Sequence, residues 1–384
     1  MEKNNKTLNV PNLRFPEFSK EWGKARLQSV ATLSKGTGIS KDQLSEEGRP
    51  CILYGELYTK YNSEIIDTII SKTDIDPEKL VRSQANDVII PCSGESAVDI
   101  ATARCVKQSN VLLGGDLNII RLKGEHEGSF FAYQLNGKRK YDIAKVAQGV
   151  SVVHLYGEHL KGVKVNYPSA AEQKKISSLL ALIDQRIETQ KKIIEKYESL
   201  IRGLYQFLFQ QAKYDHFVSL GDISQISNGN SDVKDASMYN DGSLYPFFDR
   251  SDEIKFLPEY LFDKEAIIYP GEGAEFYPRY YNGKFALHQR CYAVYDISTD
   301  FIPRYLYHYC KTQNSYFVRN AVGSTVASLR LDTFKRLKIP AIPTHHQESL
   351  VMFLDKIEAK IECNRTILKK YAEQKKYLLF TLFI

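Results

Sequence analysis

The chain has 384 residues, 43% of them hydrophobic and 26% charged, which excludes a disordered chain and allows two domains of ordinary size. Its formal net charge of +6 is compatible with DNA binding but too small to indicate it alone. No Cys-x-x-Cys pair occurs among the six cysteines, which excludes a zinc ribbon and a dithiol redox motif. No apolar run reaches the ~18 residues of a membrane span, and the polar start lacks a signal-peptide pattern. The sequence therefore predicts a cytoplasmic protein without membrane contact.

The first globular part, residues 22–168, contains short runs typical of β-strands, separated by Gly, Pro, Asn and Ser. These runs are Cys51–Tyr54, Val88–Ile90, Asn118–Arg121 and Val163–Val165, with an amphipathic helix predicted around Ser129–Tyr141. This order favours a mixed or mainly antiparallel sheet with a helix against it.

A single long helix is predicted next. Pro168 and Ser169 precede a stretch in which apolar residues recur at alternating spacings of 4 and 3, the pattern of a coiled-coil seam. At 1.5 Å per residue, roughly 40 residues of helix extend about 60 Å, far beyond an ordinary bundle helix. The predicted interface residues are Leu180, Ile183, Ile187, Gln190, Ile194 and Tyr197.

The second half of the chain repeats the first. Its strand-like runs are Ala266–Tyr269, Cys291–Tyr295 and Leu337–Ile339, with a helix predicted around Ile302–Gln313. At a shift of 174 positions, residues 149–210 align without a gap with residues 323–384, and about 16 of about 62 positions are identical. The predicted interface residues of the second long helix are Leu354, Ile357, Ile361, Asn364, Leu368 and Tyr371. Gln190 and Asn364 are matched by the repeat, and a polar residue at such a position commonly fixes helix register.

A repeat of this length indicates a duplicated domain. The predicted fold class is α+β: two tandem pseudo-symmetric domains, each a mixed or antiparallel sheet with helices, each followed by a long helix. The predicted bounds are residues 1–170 for the first domain, 171–212 for the first helix, 213–343 for the second domain and 344–384 for the second helix. We expect the two helices to pair as an antiparallel coiled coil.

The end of each globular part carries motifs that resemble a known family. Residues 149–155 (GVSVVHL), 160–165 (LKGVKV) and 172–176 (EQKKI) closely resemble the end of a target-recognition domain in type I restriction-modification specificity subunits. The second copy, residues 323–329, 334–340 and 346–348, is similar, with His346 where the family usually has Glu. The opening VPNLRFPEF, followed by Trp22, also resembles the family, so the resemblance covers the whole chain.

The resemblance implies a non-catalytic specificity subunit with two target-recognition domains. Such a subunit binds double-stranded DNA at two half-sites separated by an unread spacer, together with two modification (methyltransferase) subunits and restriction subunits. It implies no cofactor and no metal in this chain, because S-adenosylmethionine, ATP and Mg belong to the partner subunits. The sequence agrees in lacking a Walker A run.

Candidate DNA-binding residues lie in polar, glycine-containing loops at predicted strand ends, where base-edge contacts are expected. In the first domain they are Lys35, Thr37, Lys41, Ser93, Glu95, Arg104, Ser151 and His154. In the second domain they are Asn228, Asn230, Lys234, Arg250, Arg279, Tyr280, Gln289, Arg290, Ser324 and Thr325.

Three alternatives stay open. A coiled-coil scaffold that binds only proteins predicts no DNA affinity. A nuclease or methyltransferase in its own right predicts a metal- or cofactor-dependent activity of the chain alone. A specificity subunit of a type IIB-like system differs from the main hypothesis only in its partner genes.

Overall fold

The computed structural model describes residues 8–149, 152–211 and 214–384. The strands are β1 Gly23–Arg26, β2 Ala31–Lys35, β3 Leu44–Ser45, β4 Arg49–Ile52, β5 Ile65–Ile66, β6 Ser71–Thr73, β7 Asp87–Pro91, β8 Ser93–Gly94, β9 Arg104–Val106, β10 Leu112–Leu113, β11 Leu117–Leu122, β12 Val153–His154, β13 Lys164–Tyr167, β14 Phe217–Ser219, β15 Gln225–Asn228, β16 Tyr245–Phe248, β17 Lys255–Leu257, β18 Phe262–Pro270, β19 Arg279–Leu287, β20 Cys291–Tyr295 and β21 Lys338–Pro340.

The helices include two that are much longer than the others. They are α1 Leu27–Val30, α2 Glu56–Thr59, α3 Ala97–Ile100, α4 Gly128–Asn136, α5 Lys140–Ala144, α6 Gly157–Lys161, α7 Ala170–Tyr205, α8 Leu220–Ile223, α9 Pro303–Lys311, α10 Asn314–Asn320, α11 Leu331–Lys335 and α12 Thr344–Thr381. A π-helical turn, Gln206–Gln211, follows α7. The helix predicted around residues 129–141 is two helices, because α4 ends at Asn136, where Gly137 is the C-cap, and α5 begins at Lys140. Among the described residues, no helix combines the length and apolarity needed to cross a membrane.

The chain forms two compact units whose boundaries fall within the two long helices. Unit 1 comprises residues up to Lys191 together with Thr366–Ile384, and unit 2 comprises Lys192–Arg365. Each long helix therefore contributes to both units. In unit 1 a five-stranded sheet has the order β2-β11-β7-β9-β5, and in unit 2 a six-stranded sheet has the order β15-β20-β18-β19-β16-β17.

The central strands of the two sheets have the same register. In unit 1, Asn118 of β11 faces Lys35 of β2 and Ile90 of β7. In unit 2, Tyr292 of β20, 174 positions later, faces Asn228 of β15 and Tyr269 of β18. Small sheets match as well, because β1 pairs with β13 and β14 pairs with β21. The structural repeat thus extends well beyond the residues that the aligned sequence made obvious.

The long helices pack antiparallel within each unit. In unit 1, Leu180 and Ile183 of α7 join one apolar core with Leu378 near the end of α12. In unit 2, Ile201 near the end of α7 shares a core with Leu354 near the start of α12. All twelve predicted interface residues are buried or half-buried. The predicted α+β fold with paired long helices is confirmed.

Candidate nucleic-acid interface

Four side chains meet at one end of β11, between β2 and β7 of the unit 1 sheet. These residues, the unit 1 rim cluster, are Lys35, Ser93, Asp116 and His154. The Lys35 ammonium lies 3.2 Å from the Asp116 carboxylate, and this hydrogen bond raises the pKa of Lys35 above its usual range. Ser93 Oγ donates to Asp116 at 3.4 Å and lies 3.3 Å from His154 Nδ1. Three residues predicted to bind DNA thus converge around one that was not predicted, Asp116.

The matched positions of unit 2 carry different side chains. The unit 2 rim cluster comprises Asn228, Glu272, Arg290 and Ser328. In the strand pairings, these residues occupy the positions of Lys35, Ser93, Asp116 and His154. Ser93 pairs with His154 in unit 1, and Glu272 pairs with Ser328 in unit 2. Arg290 Nη1 lies 3.0 Å from both carboxylate oxygens of Glu272.

A glycine-led loop borders each rim cluster. Gly149 and Gly323 adopt φ angles of 124° and 114°, a region that side chains with a Cβ disfavour. A Cβ at either glycine would also lie within 2.4 Å of the carbonyl oxygen of Val152 or Val326. Such a contact requires a shift of the backbone, so glycine is needed at both places. Ser151 of the first loop lies outside the described residues, whereas Ser324 and Thr325 of the second are exposed.

Clefts beside the rim clusters collect further predicted residues. In unit 1 a cleft of about 740 Å³ is lined by Ser93, Glu95 and Arg104, and by the half-exposed rings of Tyr54 and Tyr58. In unit 2 a cleft of about 240 Å³ is lined by Arg250, Gln289 and Arg290, among others. Exposed aromatic rings and arginines suit base stacking and base-edge contacts.

Three predicted residues are exposed on short turns. Lys41 begins one 3₁₀ turn, Lys234 lies in another, and Asn230 follows the end of β15. Their exposure suits contacts to the phosphate backbone, which set position and affinity.

Other predicted residues are held by the protein itself. Arg104 donates to the backbone oxygen of Tyr61 at 3.0 Å, and burial lowers its pKa. Arg279 donates to the backbone oxygens of Ser251 and Asp249. The Tyr280 hydroxyl donates to Glu265, and the half-buried Thr37 hydroxyl accepts from the Val81 backbone N–H at 2.9 Å. These contacts favour structural roles, and DNA contact by the four stays a prediction.

Three members of the rim clusters, Asp116, Glu272 and Ser328, were missed. For Asp116, the repeat in the sequence could have identified the position. The shift of 174 positions that matches the ends of the two halves also matches Asp116 with Arg290, immediately before the matched strands β11 and β20.

An ionic cluster around the buried His308 lies away from the rim cluster of unit 2. His308, Asp355 and Glu358 place ligand atoms within 4.8 Å of one another, a spacing that a metal ion could use. Both carboxylates, however, are already paired with cations: Asp355 with Arg304, and Glu358 with Lys311 at 2.6 Å. Burial lowers the pKa of His308, although Glu358 and Asp355 oppose it. The arrangement therefore favours a structural ionic network.

Comparison with known proteins gives a consistent result. The family model described as type I restriction modification DNA specificity domain matches twice, over residues 19–199 and 214–371. The MjaIX type I restriction enzyme specificity subunit of Methanocaldococcus jannaschii is 28% identical over 153 residues. This match covers 35% of the chain and 35% of that relative, so it spans about a third of the relative's length.

Two solved structures share the fold. The type I restriction-modification S subunit of M. genitalium matches with a TM-score of 0.70 at 17% identity, covering 98% of this chain and 99% of that one. A chain from a structural study of complex assembly and conformational transition of the type I restriction-modification system matches with a TM-score of 0.55 at 12% identity, covering 93% and 96%. At these identities the likeness shows the fold alone.

Proposed function

The chain belongs to the family of DNA specificity subunits of type I restriction-modification systems, a non-catalytic targeting family, and from this premise we propose that it binds a bipartite DNA target. In this proposal each unit binds one short half-site through its rim cluster and neighbouring loops, and an unread spacer separates the half-sites. The chain then directs its partner subunits to that target.

The observation that carries the proposal is the pair of rim clusters. Both are built on the same strand register, yet they present unlike side chains: Lys35 and Asp116 in unit 1 correspond to Asn228 and Arg290 in unit 2. Hydrogen-bond donors and acceptors at base edges determine which base is bound. One scaffold with two sets of donors and acceptors therefore suits two different half-sites.

The reactions of the complex are assigned to its other members. We propose that two modification subunits carry S-adenosylmethionine and that restriction subunits carry ATP and Mg, with the complex acting in the cytoplasm. Exposed apolar side chains on the long helices, such as Leu182, Met352 and Phe353, supply contacts of the kind that protein partners bury. Met352→Lys is expected to weaken assembly with the modification subunit, whereas Glu373→Lys, at another exposed position of α12, is expected to leave it unchanged.

Selection from a random duplex library tests the proposal. The chain, purified together with the modification subunit of its own host, is expected to enrich two short half-sites at one fixed separation. The modification subunit alone is expected to enrich none. A soluble complex that enriches no motif would support the scaffold alternative, and the partner genes separate the type I system from a type IIB-like one.

The spacer length tests the proposed role of the helices. Removing residues 187–193 from α7 and the matched residues 361–367 from α12 deletes one heptad from each helix and preserves the seam. Seven residues correspond to about 10 Å of helix, or roughly three base pairs of DNA. The accepted spacer is expected to shorten by about that amount, and an unchanged spacer would exclude the helices as the determinant.

A further inference from the structure

Asp116 and Arg290 occupy one structural position in the two units. Asp116 immediately precedes β11, and Arg290 immediately precedes the matched strand β20. The pairing of Leu117 with Pro91 in unit 1 corresponds to that of Cys291 with Pro270 in unit 2. Both side chains reach solvent, since 44% of the Asp116 side chain and 63% of the Arg290 side chain are exposed.

The charge at this position is reversed between the units, and so is the charge of its partner. Asp116 is paired with Lys35 on β2, which lies on one side of β11. Arg290 is paired with Glu272, which follows β18 on the other side. Exposed ion pairs contribute little to stability, so neither pair is needed to hold the fold.

A hydrogen bond holds the backbone at each residue. The Cys92 N–H donates to the Asp116 carbonyl oxygen at 2.6 Å, and the Arg290 N–H donates to His288 Nδ1 at 3.1 Å. Asp116 has a φ of 58°, a conformation that Asp and Asn tolerate better than most residues. The main chain is thus rigid while the charged ends remain available, which is the requirement for a preorganised contact.

We propose that this position contacts a base in both half-sites, as a hydrogen-bond donor in unit 2 and as an acceptor in unit 1. This inference rests on the proposed function. Arg290, oriented by the two contacts to Glu272, donates to the O6 and N7 acceptors of guanine in one half-site. Asp116 accepts from the amino group of a base, that of cytosine N4 foremost, in the other half-site. An arginine alone could equally bind phosphate, but phosphate repels a carboxylate. An acid at the matched exposed position therefore favours contact with base edges. The ammonium of Lys35 reduces the repulsion between Asp116 and the DNA phosphates.

The test uses library selection by the complex with the modification subunit. Arg290→Gln removes the charge, and Asp116→Asn removes the charge while keeping a residue that tolerates the positive φ. The matched controls are Arg336→Gln and Asp332→Asn, because Asp332 on α11 and Arg336 directly after α11 form an exposed ion pair outside the rim cluster. Thermal unfolding of every variant is expected to stay close to that of the unsubstituted chain.

Each rim variant is expected to lose preference at one base pair by roughly tenfold or more, in a different half-site for each variant. The other half-site and the control motifs stay unchanged. An unchanged motif in either variant overturns the inference, as does a loss of affinity that is uniform across sequences with a smaller salt dependence, which marks a phosphate contact. Loss of all DNA binding overturns the inference too, because a residue that contacts one base pair leaves the contacts to the other half-site intact. If the unsubstituted complex enriches no motif, the proposed function itself fails.

Discussion

Both units pair a matched acid of the long helices with cations, the buried Asp184 on α7 in unit 1 and the half-buried Glu358 on α12 in unit 2, but they take the cations from different elements. In unit 1, Lys375 lies 2.6 Å from Asp184 and 2.5 Å from Glu64. Burial alone would raise the pKa of Glu64, yet Lys375 outweighs it and holds that pKa below its usual range.

Unit 2 takes its cations from another element. Glu358 is paired with Lys311 at 2.6 Å and with Arg304 at 3.2 Å, both on α9. The repeat has therefore kept the position of an acid that is at least half-buried, while the source of its counter-ion has changed. A buried carboxylate needs a cation, but the fold can supply that cation from either the second helix or the globular part.

The largest effect is expected where one cation serves two acids. Lys375→Met leaves Glu64 and Asp184 buried near each other without their shared lysine, and loss of one partner of a buried pair costs about 3–5 kcal/mol. The free energy of unfolding is measured by denaturant titration. Lys376→Met, at the exposed neighbouring position, is the control, and equal losses in the two variants would contradict the comparison.

A smaller effect on the free energy of unfolding is expected in unit 2, where two cations are paired with Glu358. Arg304→Met in unit 2 removes one cation from Asp355 and Glu358 but leaves His308 on Asp355 and Lys311 on Glu358. We expect a loss of about 2 kcal/mol, since each acid keeps one partner. The same titration measures it, and a loss larger than that of Lys375→Met would show that the two cations do not compensate for each other.

The pH dependence distinguishes the units further. Burial lowers the pKa of His308, so the unfolded chain binds this proton more tightly than the folded one. The stability that neutral His308 contributes is complete above about pH 6.5, its unfolded pKa, and declines as the pH falls toward the lower folded pKa. The slope is at most about 1.4 kcal/mol per pH unit.

The matched residue in unit 1 is a buried glutamine, Gln134. His308→Gln is therefore expected to flatten the decline measured by denaturant titration at several pH values. A residual slope is expected from His126, whose pKa burial also lowers. An unchanged slope in His308→Gln would contradict the assignment.

The smallest effect is expected for an exposed pair between the helices. Arg365 lies 2.7 Å from Glu198, and 56% of its side chain is exposed. Arg365→Ala is expected to cost less than about 1 kcal/mol, and less still at high salt. Thermal unfolding at low and high salt measures it, and a loss comparable to that of Arg304→Met would mean that burial is not what separates these networks.

The sequence predicted what periodicity and repetition encode. The seam of each long helix follows from apolar spacing, and one shift of 174 positions matches the two helices. Their antiparallel pairing was a hypothesis, which the shared cores of the structure confirm. It did not predict that Lys375 meets Glu64, because 311 positions separate them along the chain and only the fold brings them together.

The candidate DNA-binding residues show the same limit. Lys35, Ser93 and His154 were predicted and do converge, because β2 and β7 of the five-stranded sheet end beside each other across β11. Ser93 follows β7 on β8, which pairs with His154 on β12 in a separate two-stranded sheet. Arg104 and Arg279 were predicted from the same kind of loop, yet their guanidinium groups donate to backbone carbonyls. A single sequence shows that a polar residue is near a strand end, but not whether its side chain turns toward solvent or toward the protein.

Methylome sequencing measures whether this chain supplies a two-part DNA specificity. A host carrying the neighbouring modification gene is sequenced with and without the gene for this chain. The account predicts a methylated motif of two unlike half-sites around a fixed spacer, present only with the gene. An active methyltransferase in a soluble complex, with no motif that depends on this chain, would contradict it.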